Sequence, residues 1–364
     1  MATGTGKSCW DAKSRIDYFD IAKGIGIILV IIGHSGFAGD FWGCFIASFH
    51  MPLFFIISGM LSNLKNEKEQ DTRALIEKKI RGLMIPYISF SIIYIVIYII
   101  SLCTGAIDIK DFVQSIIYML TLYGDSTLWF LPALLLGELI FLSLLKKVGK
   151  IYPLLITLGI AAVSYIIQLL ITPVWASHVN SLLITNLIDF LRVFLRGGIV
   201  SLFVAIGYYI FDIIPSKMRD SDKFNIPAFG IGIVLTAATL FLCQRNDVVD
   251  FHRLVFGNPF MFVITATIGS MGVILISMGI GRLGILSFYG KNSLIIMCSH
   301  LNFYILYVAI LLAWEINNFV TRAKSYVFMF VILCATLLME TVLIIIINRF
   351  CPFILGHRSA HGRK

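Results

Sequence analysis

Charge is what this sequence has least of. Asp, Glu, Lys and Arg make up 13% of its 364 residues against 59% hydrophobic residues, about half the charged share of an ordinary soluble domain. A water-soluble globule is excluded. Long polar stretches are missing too: apolar runs of about 20 residues, enough to cross hydrocarbon as a helix, follow one another with short connections, and the mean hydropathy is +0.92. No stretch is left for a separate soluble domain of typical size, so any site has to be built among the helices. The seven cysteines are scattered and show no CxxC or CxxH spacing. This excludes a zinc site and a disulfide framework and leaves buried reduced thiols as the expectation. Internal repeats of 20 to 50 residues and low-complexity tracts are absent as well.

What is present predicts an all-α, polytopic membrane helical bundle of about ten transmembrane helices. The spans are placed near Ile21–Ser35, Trp42–Leu61, Leu83–Cys103, Leu128–Leu145, Ile151–Thr172, Gly197–Ile214, Ile226–Cys243, Phe260–Ile280, Ser293–Ala313 and Tyr326–Ile347. The net charge of +9 does not gather into a stripe that would suit nucleic acid. With an even number of spans and both termini cytoplasmic, 22 of the 29 Lys and Arg fall on the inner side and seven outside, as the positive-inside rule requires. Residues before the first span lack the apolar core of a cleavable signal peptide. Gly6-Lys7-Ser8 is not read as a phosphate loop, because Met1 stands where its first glycine would be.

Ionisable groups inside spans are costly and therefore candidates for function. Lys23 and His34 are 11 residues apart in the first span, which is within about 20° of three full turns and about 16.5 Å along the axis. They share a helix face. That suits a long ligand with its charged end in the cytosol and its reactive end deeper; a snorkelling lysine and a packing histidine suit the spacing equally. His50 precedes Met51-Pro52 in the second span, and Ser58-Gly59 follows it, so a broken, polar helix can wall a site or simply kink. Lys78 and Arg81 end the charged loop Ser62–Gly82 and lie at i, i+3, where they can grip phosphates or anchor the chain to lipid. Glu138 stands alone about ten residues into the fourth span. It is either protonated and hydrogen-bonded or paired with a cation. Ser293 opens the ninth span, and His300 lies two turns further along the same face. Arg192 and Arg196, at i, i+4, can hold an anionic acceptor or pair with Asp189.

Taken together, the order of these motifs resembles acyltransferase family 3, the bacterial integral-membrane O-acyltransferases of cell-envelope glycans. The matching segments are the basic-x10-His of "DIAKGIGIILVIIGHS", "FHMPLFFIISGML", "KKIRGLMIPY", "LWFLPALLLGEL" and "GKNSLIIMCSH"; the second is most similar to the fucose-acetylase-like branch. Arginine is common where this chain has Lys23, a change that keeps the charge and loses bidentate donor geometry. The resemblance implies an acyl-coenzyme A donor, usually acetyl-CoA, with Lys23, Lys78 and Arg81 on its phosphates. It implies His34 as catalytic residue. The polar residues within the spans add Glu138 as a second catalytic candidate and His50, Ser293, His300, Arg192 and Arg196 as acceptor-binding candidates, with no metal. His34 is expected to be buried, a neutral imidazole able to take a proton from an attacking hydroxyl. The partners expected are a glycan or glycolipid acceptor and the bilayer of a bacterial cell membrane, not nucleic acid. Residues 1–20 would form a short cytoplasmic segment, 21–349 the acyltransferase domain and 350–364 a basic cytoplasmic tail. A transporter or small-molecule-binding membrane module without acyl transfer is the reading that competes with this one.

Overall fold

The computed structural model describes residues 16–36, 38–149, 152–219, 224–247, 249–320 and 325–356. Most of the segment 1–20, including Gly6-Lys7-Ser8, and the end of the tail 350–364 lie outside the described residues. The described residues form helices and no strand: α1 (Asp17–His34), α2 (Gly39–Leu64), α3 (Thr72–Cys103), α4 (Ile109–Leu120), α5 (Phe130–Lys147), α6 (Pro153–Ser177), α7 (Leu182–Ile213), α8 (Ser216–Arg219), α9 (Ile226–Cys243), α10 (Pro259–Ile280), α11 (Gly284–Lys291), α12 (Ser293–Ser299), α13 (Ile305–Val320) and α14 (Ser325–Phe350). Among the described residues, eight of these elements are long and apolar enough to cross a membrane. The first and ninth of the anticipated spans differ. Asp17, Asp20 and Lys23 make α1 polar at its start, and the ninth is interrupted after Ser299.

Two classes of helix build the bundle. About three quarters of the apolar stretch of α2, α5 and α7 is buried, whereas α3, α6, α9 and α14 bury between 22% and 28% of theirs. The second group turns residues such as Ile88, Ile92, Leu158 and Leu170 outward, the pattern of helices whose outer face meets lipid rather than water. Glycines set the closest approach at the centre. A Cβ on Gly59 would strike the Val204 carbonyl, and one on Gly207 the Ile56 carbonyl, so α2 and α7 pack backbone to backbone. Gly24 and Gly290 join α1 to α11 in the same way.

Helices also begin earlier than hydropathy predicts. Asp71 accepts a hydrogen bond from Ala74 N at 2.8 Å and caps α3, which turns residues 72–82 of the expected loop into helix. α7 starts at Leu182, 15 residues before Gly197, so Arg192 and Arg196 are helical rather than terminal. α4 was not anticipated; it is short and strongly amphipathic, with Asp108 as its cap.

Candidate active site

The last residue of α1 is His34. Its ring meets that of His300, with centroids 5.3 Å apart and planes at 44°. His50, on α2, lies close enough to His34 to interact electrostatically. Three distant segments thus deliver three imidazoles to one place. The expected burial of His34 holds in part: α1 stops at Ser35-Gly36, where Gly36 takes φ 75°, which leaves the residue at the exposed end of the cluster, while the surrounding protein still desolvates its imidazole. His50 is half-buried and His300 fully buried. The cluster therefore runs from an open mouth inward.

Backbone carbonyls fix two of these rings. His50 Nδ1 lies 2.7 Å from Ile46 O, and His300 Nδ1 lies 2.7 Å from Ile296 O. A carbonyl only accepts, so Nδ1 is the donor, and in the neutral ring the lone pair is left on Nε2. Nε2 of His300 is buried without a hydrogen-bond partner. Such a nitrogen is placed to accept a proton from a substrate. The break that makes this possible is local: α12 ends at Ser299, and residues 300–304 turn with Tyr304 at φ 57° before α13 begins.

Lys23 lies on the same face of α1, paired with Asp20 at 2.8 Å and one-fifth exposed. Glu138 is not brought to the histidines. It is held by Lys79 Nζ at 3.2 Å and by a hydrogen bond from Ser58, and Ser58 is eight residues past His50, about 12 Å along α2. Lys79 also pairs with Glu67 at 3.0 Å. Of the basic residues at the start of α3, Lys78 is exposed and Arg81 bonds Glu77 at 2.5 Å near the surface, so the cation that turns inward is the half-buried Lys79. Beside them a groove of about 190 Å³ between α3 and α5 is lined by Leu75, Leu142, Lys146 and Lys147 among others. Ser293 sits at the far end of α12 from His300, about 10.5 Å away along the helix.

Arg192 is paired with Asp189 at 2.7 Å and reaches Gln168 at 3.3 Å. Among the described residues Arg196 has no carboxylate within ion-pair distance. It donates to Tyr123 O at 2.9 Å and lies over the rings of Tyr123 and Trp129. Among the described residues, no group of three His, Cys, Asp or Glu side chains could hold a metal ion.

Sequence reasoning missed three groups. Glu340 on α14 is fully buried and accepts hydrogen bonds from Ser299 at 2.8 and 2.9 Å, next to His300; the rule that singled out Glu138, an ionisable group within a span, applies to it equally. Lys79 was passed over for its neighbours. Asp250 and His252, on the loop between α9 and α10, carry no signal in hydropathy at all. Asp250 acts electrostatically on both His34 and Arg196.

No curated protein and no solved structure matches this sequence. A family model described as an acyltransferase domain matches residues 16–353. That span takes in every helix from α1 to α14 and all three histidines, and the chain accordingly belongs to acyltransferase family 3.

Proposed function

We propose that this membrane acyltransferase moves an acetyl group from cytosolic acetyl-CoA to a hydroxyl of a cell-envelope glycan or glycolipid, with His34 as the general base. The observation that carries the reading is the meeting of His34 and His300 at 5.3 Å, with His50 beside them. In the transfer, the acceptor oxygen attacks the thioester carbonyl while its proton passes to the imidazole; the C–S bond then breaks, and the coenzyme thiolate leaves and is protonated. His300, anchored through Nδ1, lies against the His34 ring and keeps its own Nε2 free of any hydrogen bond among the described residues.

The coenzyme is assigned to the opposite end of α1. Lys23 is about 16.5 Å along the helix from His34, a separation that an extended pantetheine arm can bridge from phosphates to thioester. Lys78 and Arg81, with the groove carrying Lys146 and Lys147, supply further cations for those phosphates. Cytoplasmic termini and residence in a bacterial cell membrane belong to the same reading.

The test compares ester-linked acetate in the envelope of cells carrying the wild type, His34→Ala and an empty vector, alongside acetyl-CoA binding by the purified proteins. Acetate that depends on the wild type and falls with His34→Ala, at unchanged acetyl-CoA affinity, supports the reading. Purified protein that binds no acetyl-CoA, or envelopes that do not differ, would overturn it in favour of a transporter or binding module.

A further inference from the structure

The inference deepens the acyl-transfer reading and rests on it: it concerns what the acceptor carries besides its hydroxyl. Arg196 is 1% exposed, in the middle of α7. Its Nη1 is used by Tyr123 O, but Nε and Nη2 have no hydrogen-bond partner. These two atoms form one edge of the guanidinium, a pair of parallel donors that matches the two oxygens of a carboxylate or phosphate. A second unpartnered group faces the same place. His252 lies against the rings of Tyr123 and Trp129, with centroids 4.9 and 5.6 Å away, and its Nε2 is buried without a partner.

The loop that carries His252 is part of the bundle rather than a surface strap. Phe251, Leu254 and Phe256 are each at most 5% exposed, Phe251 packs on Phe55 and Phe203, and a pair of backbone hydrogen bonds between Asp250 and Val255, 2.8 and 2.9 Å, closes its turn. Irregular backbone packed into a membrane protein is tolerated where it is enclosed by protein or lines a cavity.

Charge points the same way. The charged groups facing this cluster are Arg192, Arg196 and Arg253 against Asp189 and Asp250, three cations to two anions. Asp189 is engaged by Arg192, and Asp250 has Arg253 at 3.8 Å. Burial and the flanking Arg196, Arg253 and Arg192 guanidiniums hold His252 far below its usual pKa, at about 2. It is neutral near pH 7 and does not add to the positive charge. One buried guanidinium edge is left over, and a buried charge-assisted donor without an acceptor is expensive.

We propose that Arg196, with His252, binds an anionic group of the acceptor, a carboxylate or a phosphate, and so holds the acceptor with its hydroxyl toward His34. The link to the chemistry is Asp250, on the same loop as His252, which acts electrostatically on both His34 and Arg196. The acceptor class that follows is an acidic sugar or a phosphate-bearing glycan or glycolipid, and not a neutral sugar.

The experiment uses the purified full chain in nanodiscs and three probes: glucuronate, glucose 1-phosphate and neutral glucose. Binding is read by thermal shift and by calorimetric titration, with acetyl-CoA affinity measured in parallel. Wild type is expected to bind at least one anionic probe and not glucose, and the preferred anion distinguishes a carboxylate from a phosphate source. Arg196→Lys, which keeps the charge and loses the fork, should weaken that probe about tenfold or more, and His252→Gln should weaken it less. Because Arg196→Lys could also fold poorly, His252→Gln on its loop serves as the second variant. Anion affinity equal to wild type in both variants, or no anionic probe bound in preference to glucose, would overturn the proposal. Loss of acetyl-CoA binding with anion binding intact would instead sink the acyl-transfer reading and leave the anion site standing.

Discussion

The protein holds two polar clusters within its helices, and they are finished differently. In the first, Lys79 lies between Glu67 and Glu138 at 3.0 and 3.2 Å, and Ser58 donates to Glu138. Every charge has a partner of opposite sign, including Glu67 Oε2, which makes an ion pair though no hydrogen bond. In the second, around His34, His300, Arg196 and His252, donors and lone pairs are left over: the buried Nε2 atoms of His300 and His252 and two nitrogens of Arg196. The backbone separates them as well. Near the first cluster the residue with positive φ is Asn66, a type that tolerates the left-handed region. Around the second, Leu122, Ser126, Leu254 and Tyr304 all take positive φ, conformations that cost of order 1–3 kcal/mol each and persist where surrounding structure enforces them. A closed ion network is what a scaffold needs. Open valences held by a strained backbone are what a ligand needs.

The comparison breaks first at His34. If the open cluster is the reaction centre, His34→Ala should lower the rate of acetyl transfer by about 10² to 10⁴ while acetyl-CoA affinity and thermal stability stay near wild type, since His34 ends α1 at the exposed side of the cluster. A variant that transfers acetate at the wild-type rate would move the base to His300 or His50, whose Nε2 lone pairs are fixed by the carbonyls of Ile296 and Ile46.

The closed cluster should respond in the opposite way. Lys79→Ala leaves Glu67 and Glu138 buried without their cation, and the expected cost is roughly 3–5 kcal/mol of stability, read as a large fall in the unfolding temperature in detergent. The double variant Lys79→Met with Glu138→Gln removes both charges and should recover much of that loss. If instead Lys79→Ala is as stable as wild type yet inactive, Glu138 belongs to the chemistry and the division between the clusters fails.

How much of this was legible in the sequence depended on whether the helix start was legible. α2 and α5 are continuous apolar runs, and their cores were read correctly. Hydropathy begins α3 only at Leu83 and makes its charged first turns a loop, so the i, i+3 spacing and the matching segment point to Lys78 and Arg81 and not to Lys79. With the helix begun at Thr72, Leu75, Lys79, Pro86, Phe90 and Tyr94 fall on one stripe, buried apart from the half-buried Lys79, while Lys78 and Arg81 continue into Ile88 and Ile92, which face outward. The phase was in the sequence, but hydropathy does not report it where the charges sit. The break after Ser299 is invisible for the opposite reason: apolar residues run on both sides of it, and tertiary bonds such as those of Tyr94 to Cys298 O and of Asn302 to Tyr98 help hold the turn. Arg196 illustrates the same limit, since its i, i−4 spacing to Arg192 says nothing of the rings from distant loops that enclose it.

A smaller effect sharpens the assignment of the coenzyme end. Replacing both Lys78 and Arg81 with Ala should weaken acetyl-CoA binding by up to about 1.5–3 kcal/mol for each well-formed contact, with less from Arg81, whose guanidinium already serves Glu77. Folding should be unaffected because neither side chain is buried. Titration of acetyl-CoA against the double variant checks this, and an unchanged affinity would leave the two residues as anchors at the membrane surface and shift the phosphates toward Lys146 and Lys147.

The smallest effect is expected at Lys23. Its ammonium pairs with Asp20 one turn earlier and is one-fifth exposed, so an arginine has room to swing its planar fork either to the same carboxylate or to a phosphate. The substitution keeps the charge and adds donors in a geometry suited to both partners. Lys23→Arg should therefore leave acetyl transfer within about twofold of wild type, corresponding to roughly 0.4 kcal/mol, and any change in acetyl-CoA affinity should be toward tighter binding. Lys23→Met, of similar length and without charge, should weaken the coenzyme and leave Asp20 without its cation. Measuring both variants separates charge from shape. A Lys23→Arg enzyme that loses activity while Lys23→Met retains it would show that the face shared by Lys23 and His34 carries no phosphate, and that the coenzyme enters beside α3 instead.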